Sequence, residues 1–569
     1  MKLLINKKNQ YNKMIVFLGT LLLTVSCSDY LDVNADTDNP KTAPLDLLLT
    51  NTQVSLSKLG DFDLYSGSVL EVYTHQMTTR ADHDQYNTKP NNSFLSNDWN
   101  TVYLTLSDIE TLIQQSESSG NLVYLGIAQM QKAYLLASAV DLWGDVPYSE
   151  ATQLKNNTIS PKFDNQKEIY NSVFKLIETA KTNLSSSQGS KKPGKDDLFY
   201  GGKASKWIKF ANTFKLKLYN QTRLISDFDQ VGFDALILEN NFFTSNADDF
   251  QFNHTANVTP SDERNRYFYQ SYNSTQFEAY QSPWFYEILM GMNPKIHNDN
   301  PDPRIKYYFF NQLKVGDFPP DQGDVATGNP KADYWDKTTG FFSIRFGSIG
   351  PNKDSSAEKS YTYPGVFPAG GRYDDGKGGL MSSTTATGIA PHRILTYDEF
   401  LYVQAELILA TKLPGITGTK LREAMEASFA KVDQVVKNNK STQVIPELVG
   451  STEAVAFMDN VITEYNSAID NSTKLEIIMT QKWVATYGDP LDQYNDYRRT
   501  GFPILANPNS TLPEYQLDND DGFPLIDSQT VLNSPYQVSF FWPQSELNVN
   551  KNSPKQKNAT TYKIFWDVD

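Results

Sequence analysis

Residues Tyr134 to Ala151 read YLLASAVDLWGDVPYSEA. Leu135, Leu136, Ala139, Val140 and Trp143 fall at spacings that place them on one face of a helix. Gly144 then offers the left-handed conformation that closes a helix, and Pro147 blocks a simple continuation. The segment therefore predicts a packed helix that ends in a tight polar turn.

Working outward, helical periodicity dominates up to about residue 226. Helices are expected near 45–59, 64–78, 98–117, 122–143, 166–184 and 203–226. In the last of these, Trp207, Phe210, Ala211, Phe214, Leu218 and Leu224 form a stripe with lysines opposite. From about 227 to 395, Pro, Gly, Asn, Asp and aromatic residues replace the periodicity, and only 276–290 reads as a good helix. Helix returns at 396–411, 419–437, 451–468 and 474–487, followed by an irregular segment, 488–569. Paired helices of this length suggest a tetratricopeptide-like array, with a degenerate repeat signature.

The eleven residues Asp141-Leu-Trp-Gly-Asp-Val-Pro-Tyr-Ser-Glu-Ala151 also resemble a segment that recurs in SusD/RagB-like proteins, nutrient-binding lipoproteins of the Bacteroidetes outer membrane. Further words of that family appear in the expected order. They are Pro161…Phe163-Asp164…Ile169-Tyr170, then Asp197…Tyr200…Trp207, then Asp302-Pro303-Arg304, then Tyr397…Glu406. Tyr497-Arg498-Arg499-Thr500-Gly501-Phe502-Pro503 and Phe541-Trp542-Pro543…Glu546…Asn548 complete the series. The resemblance implies a mostly α, SusD-like helical fold. Tetratricopeptide-like helix pairs (about 45–226 and 396–487) would be the scaffold of one domain, 45–569. A loop-rich insertion with short strands, about 227–395, would carry ligand-contacting residues.

The N-terminus gives an address. Lys2, Lys7, Lys8 and Lys13 precede an apolar run, Met14 to Val25, too short to span a bilayer and suited to a signal peptide over 1–26. It ends at Ser26-Cys27, and Cys27 is the only cysteine, so Cys27 is the expected lipidation site. Thr24 stands three before it, where such motifs usually carry leucine, with Leu23 one place further back. The alternative is an unmodified cysteine after an ordinary secretory signal. Residues 27–44 read as an acylated cysteine and an acidic tether. Cys27-Ser-Asp-Tyr-Leu-Asp-Val-Asn34 resembles the start of mature SusD-like lipoproteins. An acid soon after the cysteine is similar to that phylum's surface-export signal. The net charge of −15 becomes −19 once residues 1–26, with four lysines and no acids, are removed. That balance argues against nucleic acid, whose binding needs a basic face.

Known catalytic patterns find little support. The five histidines, at 75, 83, 254, 297 and 392, show no helical metal-ligand spacing. No Gly-x-Ser-x-Gly elbow occurs. Gly371 to Gly378 approximates a phosphate loop but has glycine after Lys377 and two aspartates facing the phosphates. Asp518-Asn-Asp-Asp-Gly522 offers oxygen ligands but misses the standard calcium loop. It reads as a surface turn, with a structural calcium as the alternative, and no other cofactor is expected.

The positive signal is aromatic: 13% of residues are Phe, Trp or Tyr. Such rings, rimmed by polar groups, can stack on sugars and bind without catalysis. The resemblance points to residues 73–103 and to the mid-chain insertion as sources of ligand contacts. The candidates are Tyr73, His75, Arg80, Tyr86, Trp99 and Asn100, with Tyr267, Tyr269, Trp284 and Trp335. A core role for most of these is the competing reading. The resemblance further implies a surface-exposed outer-membrane lipoprotein that hands a nutrient to a SusC-like TonB-dependent transporter. Glycans are the first expected ligand class and oligopeptides the second. A surface-anchored glycoside hydrolase and a purely structural lipoprotein are the rivals from other classes.

Overall fold

The computed structural model describes residues 43–568 except 62–63, 155–156, 274–278, 322–332, 351–352, 354–356, 508 and 516–529. The expected signal peptide, Cys27, most of the tether and the Asp518–Gly522 turn lie outside the described residues. Thirteen described helices have eight residues or more. They are α1 Leu45–Leu56, α2 Ser66–Tyr73, α3 Ser93–Ser118, α4 Leu122–Trp143, α5 Gln166–Leu184, α6 Ala204–Thr222 and α7 Gln230–Glu239. Then follow α8 Pro283–Met290, α9 Tyr397–Leu409, α10 Thr417–Asn439, α11 Thr452–Ser467, α12 Asn471–Ala485 and α13 Pro490–Thr500. The fold is mostly α, with five short two-stranded antiparallel pairs.

Helix α4 is central. Every residue but Leu122 and Lys132 is buried, so the single apolar face read from its spacing is too narrow. Small residues explain this. Gly126, Ala128, Ala133, Ala137, Ser138 and Ala139 let α3 and α5 pack closely on either side. A Cβ at Gly126 would lie 2.7 Å from Leu184 Cγ on α5. At the end of α4, Gly144 has φ 72° and ψ −119°. The φ is positive as expected, but the ψ lies outside the left-handed helical well, in a region essentially reserved for glycine.

The turn after Gly144 is a small sheet rather than a loop. Val146–Pro147 pairs with Phe163–Asp164, and Asp164 Oδ2 accepts from the amides of Tyr148 (2.9 Å) and Ser149 (2.7 Å). The C-terminal tail closes over it: Trp542 Nε1 donates to Asp145 O (2.8 Å), and Phe540 N donates to Leu142 O (2.8 Å). The buried Asp141 carboxylate joins four elements. It accepts from Tyr170 on α5, Gln221 on α6 (3.0 Å), Asn495 on α13 (2.9 Å) and Trp566 in the tail (3.0 Å).

Other expected boundaries move for local reasons. Helix α3 starts at Ser93 because Asn92 caps it, accepting from Phe94 N (2.9 Å) and Leu95 N (3.3 Å). The helix expected at 276–290 begins at Pro283, which fits the first turn and not the interior. Helix α7 was hidden from periodicity because Val231 and Leu238 on it face solvent. Helix α13 lies in the segment expected to be irregular, between Pro490 at its start and Gly501 at its end.

The Asp302-Pro-Arg304 element is a buried clamp. Arg304 is fully buried and donates from Nε to Asp302 Oδ1 (3.0 Å) and from one terminal nitrogen to Asp302 Oδ2 (2.6 Å). It also reaches Gln481 Oε1 on α12 (2.8 Å) and Ser428 Oγ on α10 (3.0 Å). Lysine cannot reproduce this fork. Arg304→Lys should destabilise the fold by about 3 kcal/mol, read as a lower denaturant midpoint at unchanged slope.

Candidate functional site

A cleft of about 570 Å³ opens where α13 and the chain after it meet the segment 82–86. Its aromatic wall is Tyr86, Tyr497, Tyr515 and Tyr536, and its polar rim is Asn507, Asn509 and Asn533. The rest of the lining is apolar, glycine or serine; among the described lining residues there is no carboxylate, amine, guanidinium or imidazole. The volume falls in the range of small-molecule sites, roughly 300–1,000 Å³.

Each wall has an identifiable support. Tyr497 projects from the last turn of α13, which Gly501 closes with φ 73°. The returning strand is held by Val531 N donating to Gly347 O (2.9 Å). Asn533 donates to Gln85, tying that strand to the 82–86 segment. The Tyr497 and Tyr536 rings are 4.7 Å apart, and Tyr536 and Tyr86 are 4.9 Å apart.

Tyr86 is held in strain. Its φ of 55° and ψ of 30° are left-handed, which is costly for a bulky side chain. Three contacts fix it there. The Tyr86 hydroxyl lies 2.7 Å from His75 Nε2, and the ring sits 5.4 Å from Phe346 and 5.3 Å from Tyr73. His75, itself at φ 58°, is fully buried against Phe346 at 3.8 Å. Burial pushes its imidazole down to about 3, so it stays neutral at any physiological pH. Burial likewise pushes the Tyr86 phenol well above its ordinary value.

Of the residues expected at the site, only Tyr86 lines the cleft. Tyr86, though only 5% exposed, is part of the described lining, whereas Tyr73, His75, Trp99, Tyr267, Trp284 and Trp335 are at most 7% exposed and lie outside it. They are core residues, several of them supporting the cleft. The Tyr73 hydroxyl pairs with Thr88 (2.6 Å) and Gln537 (2.9 Å) behind Tyr86. Trp284 Nε1 donates to Ile504 O (3.2 Å), behind the lining. Trp99 packs edge-on against Trp143 at 5.4 Å, while Asn100 faces solvent from the other side of α3. Tyr267 accepts from Gln281, and Trp335 packs against Phe318 at 6.0 Å. Arg80 lies over Tyr280 and donates to Tyr361 (3.0 Å) and Lys353 O (3.2 Å). Tyr269 is 37% exposed but lies outside the cleft lining, near Arg266.

Tyr497, Tyr515, Tyr536 and the three asparagines of the cleft all lie in 488–569, where the sequence shows family words but no periodicity that marks a ligand surface. One signal was available: Asn507 to Tyr515, NPNSTLPEY, is a turn-rich stretch ending in an aromatic, next to a family word.

Among the described residues one group of carboxyls could share a cation: Glu399, Asp489 and Asp492, all buried. Lys217 pairs there with Asp492, and Lys482 approaches Glu399 at 3.5 Å. Ammonium groups already supply the countercharge. No described helix is long and apolar enough to cross a membrane.

A family model described as SusD-like, starch-binding and associating with the outer membrane matches residues 37–521. No curated protein matches the sequence. Among solved structures, a SusD homologue from Bacteroides fragilis superposes with a TM-score of 0.65 at 15% identity, over 92% of this chain and 99% of that one. A SusD/RagB family protein from Bacteroides thetaiotaomicron gives 0.62 at 19% identity, over 93% and 99%. A chitin-binding SusD homologue from Flavobacterium johnsoniae gives 0.62 at 17% identity, over 92% and 99%. At these identities the structures speak for the shared fold.

Proposed function

The chain belongs to the SusD-like family, and from that membership we propose that it captures a glycan at the outer-membrane surface and delivers it to a SusC-like TonB-dependent transporter. Cys27 would carry the lipid anchor, and the long-range charge keeps the molecule away from nucleic acid. The observation that carries the ligand class is the tyrosine-walled, asparagine-rimmed cleft. Flat aromatic faces stack on sugar rings, and amide side chains both donate to and accept from hydroxyls. A chitin-binding protein shares the fold, which favours a sugar polymer over a peptide. Capture without turnover is the activity proposed. Glycoside hydrolysis takes a pair of carboxyl groups flanking the scissile bond, and the described lining of the cleft supplies none. Modest affinity is adequate, because tethering to the membrane and transporter raises the effective concentration.

The test is calorimetry of a soluble form, Ser28 to Asp569, against polysaccharides, oligosaccharides and peptide mixtures, with product analysis of the same samples. Saturable glycan binding with no new reducing ends is expected, along with co-purification of a TonB-dependent barrel from outer membranes. Release of sugar products would overturn the binding-protein reading, and saturable binding of peptides alone would overturn the glycan assignment.

A further inference from the structure

The cleft's charge pattern bears on which glycans it takes, an inference that rests on the glycan-capture reading above. Its described lining contains tyrosine, asparagine, apolar residues, glycine and serine, and no ionic side chain. Basic groups close in sequence to the described lining, or bonded to its neighbours, are committed elsewhere: Arg499 pairs with Glu406 and Asp496. Arg498, beside Tyr497, turns inward: it donates to Val538 O (2.9 Å) and Tyr494 O (3.2 Å), and its guanidinium lies over the Tyr494 and Trp566 rings at 3.9 and 4.8 Å. Lys353 pairs with Asp84 at 3.2 Å, and Arg80 with Tyr361 and a backbone carbonyl. Recognition of carboxylate or sulfate needs arginine or lysine aimed at it, because an anion moved into a site without a counter-charge loses its hydration uncompensated. The net charge, −19 without residues 1–26, adds repulsion before contact.

We infer that the cleft selects uncharged sugar polymers and rejects uronate- and sulfate-bearing ones. Recognition by stacking and neutral hydrogen bonds also makes binding insensitive to salt.

The experiment titrates the soluble form, Ser28 to Asp569, with matched hexamers: maltohexaose, cellohexaose and chitohexaose against hexagalacturonate, with chondroitin sulfate oligosaccharide as the sulfated probe. At least one neutral hexamer should bind at least tenfold more tightly than either anionic probe, with less than a twofold change between 50 and 500 mM NaCl. Asn509→Lys, on the exposed rim, should leave the unfolding midpoint unchanged and raise hexagalacturonate affinity at least fivefold at low salt, an increase that NaCl removes. Hexagalacturonate or chondroitin sulfate binding the unsubstituted protein as tightly as the best neutral hexamer would overturn the charge inference and leave glycan capture standing. Binding of peptides and of no hexamer in either class would overturn both together.

Discussion

Asp141→Ala should be among the most destabilising single substitutions in the protein, costing about 5 kcal/mol, since each buried donor left without its acceptor costs about 1–3 kcal/mol. Four donors depend on this carboxylate: the Tyr170 hydroxyl, Gln221 Nε2, Asn495 Nδ2 and Trp566 Nε1. They come from α5, α6, α13 and the tail, so the loss loosens four elements at one point, all packed around the buried end of α4. Against a total stability of roughly 5–15 kcal/mol, a loss of this size leaves a measurable unfolded fraction in water. Asp141→Asn is the discriminating partner. Its carbonyl can keep the three donors on Oδ1, while its amide meets the Asn495 amide donor to donor, so about 2 kcal/mol is expected. Guanidinium denaturation of both variants checks the ranking. An alanine variant within 1 kcal/mol of the unsubstituted chain would mean that the four bonds contribute little.

The position of Asp141 also explains why the fold was readable from sequence. The separated words meet in space. Asp141-Leu-Trp-Gly-Asp is bonded to the Tyr170 word, to Asn495 on α13 just before the Tyr497 word, and to the tail word. Asp197 similarly gathers Gln53 Nε2 (2.8 Å), Gly202 N (2.8 Å) and Trp207 Nε1 (2.8 Å). Buried carboxylates with several fixed donors tolerate few substitutes, and such residues make recognisable words. The proposed ligand cleft has no such constraint. Tyr86 and Tyr497 are distant in the chain, and a tyrosine reads the same whether its ring is in the core, as Tyr73 and Tyr267 are, or on a cleft wall. Composition gave the aromatic surplus; burial, which decides what each ring can touch, is a tertiary property. The expected residues at 73–86 accordingly reach the proposed cleft only through Tyr86, the others there lying outside its described lining. The loop-rich insertion contributes Trp284 as a support for Ile504 and no residue of the described lining.

Replacing two of the four tyrosines at the cleft wall, Tyr497 and Tyr515, should therefore abolish capture without unfolding the protein. Tyr497 and Tyr515 are half-buried, each with part of its surface open at the cleft. A sugar ring stacked on an aromatic face is worth about 0.5–1.5 kcal/mol beyond the area it covers, and that area adds roughly 25 cal/mol per Å². Tyr497→Ala and Tyr515→Ala should each lower affinity at least tenfold, and the double variant at least a hundredfold if the two sites contact successive rings independently. Tyr536→Ala is a poor probe, because its ring also packs against Tyr494 at 6.0 Å and Tyr73 at 5.8 Å, and removing it opens a cavity. Tyr269→Ala separates this cleft from the sequence-based expectation. That ring is exposed in the mid-chain insertion and outside the described lining, so its loss should change affinity less than twofold. Calorimetry of the four variants, with thermal unfolding as a control for integrity, decides between the two surfaces. Full binding by the Tyr497/Tyr515 double variant, with loss in Tyr269→Ala, would move the site into the insertion and return the asparagine-rimmed cleft to structure alone.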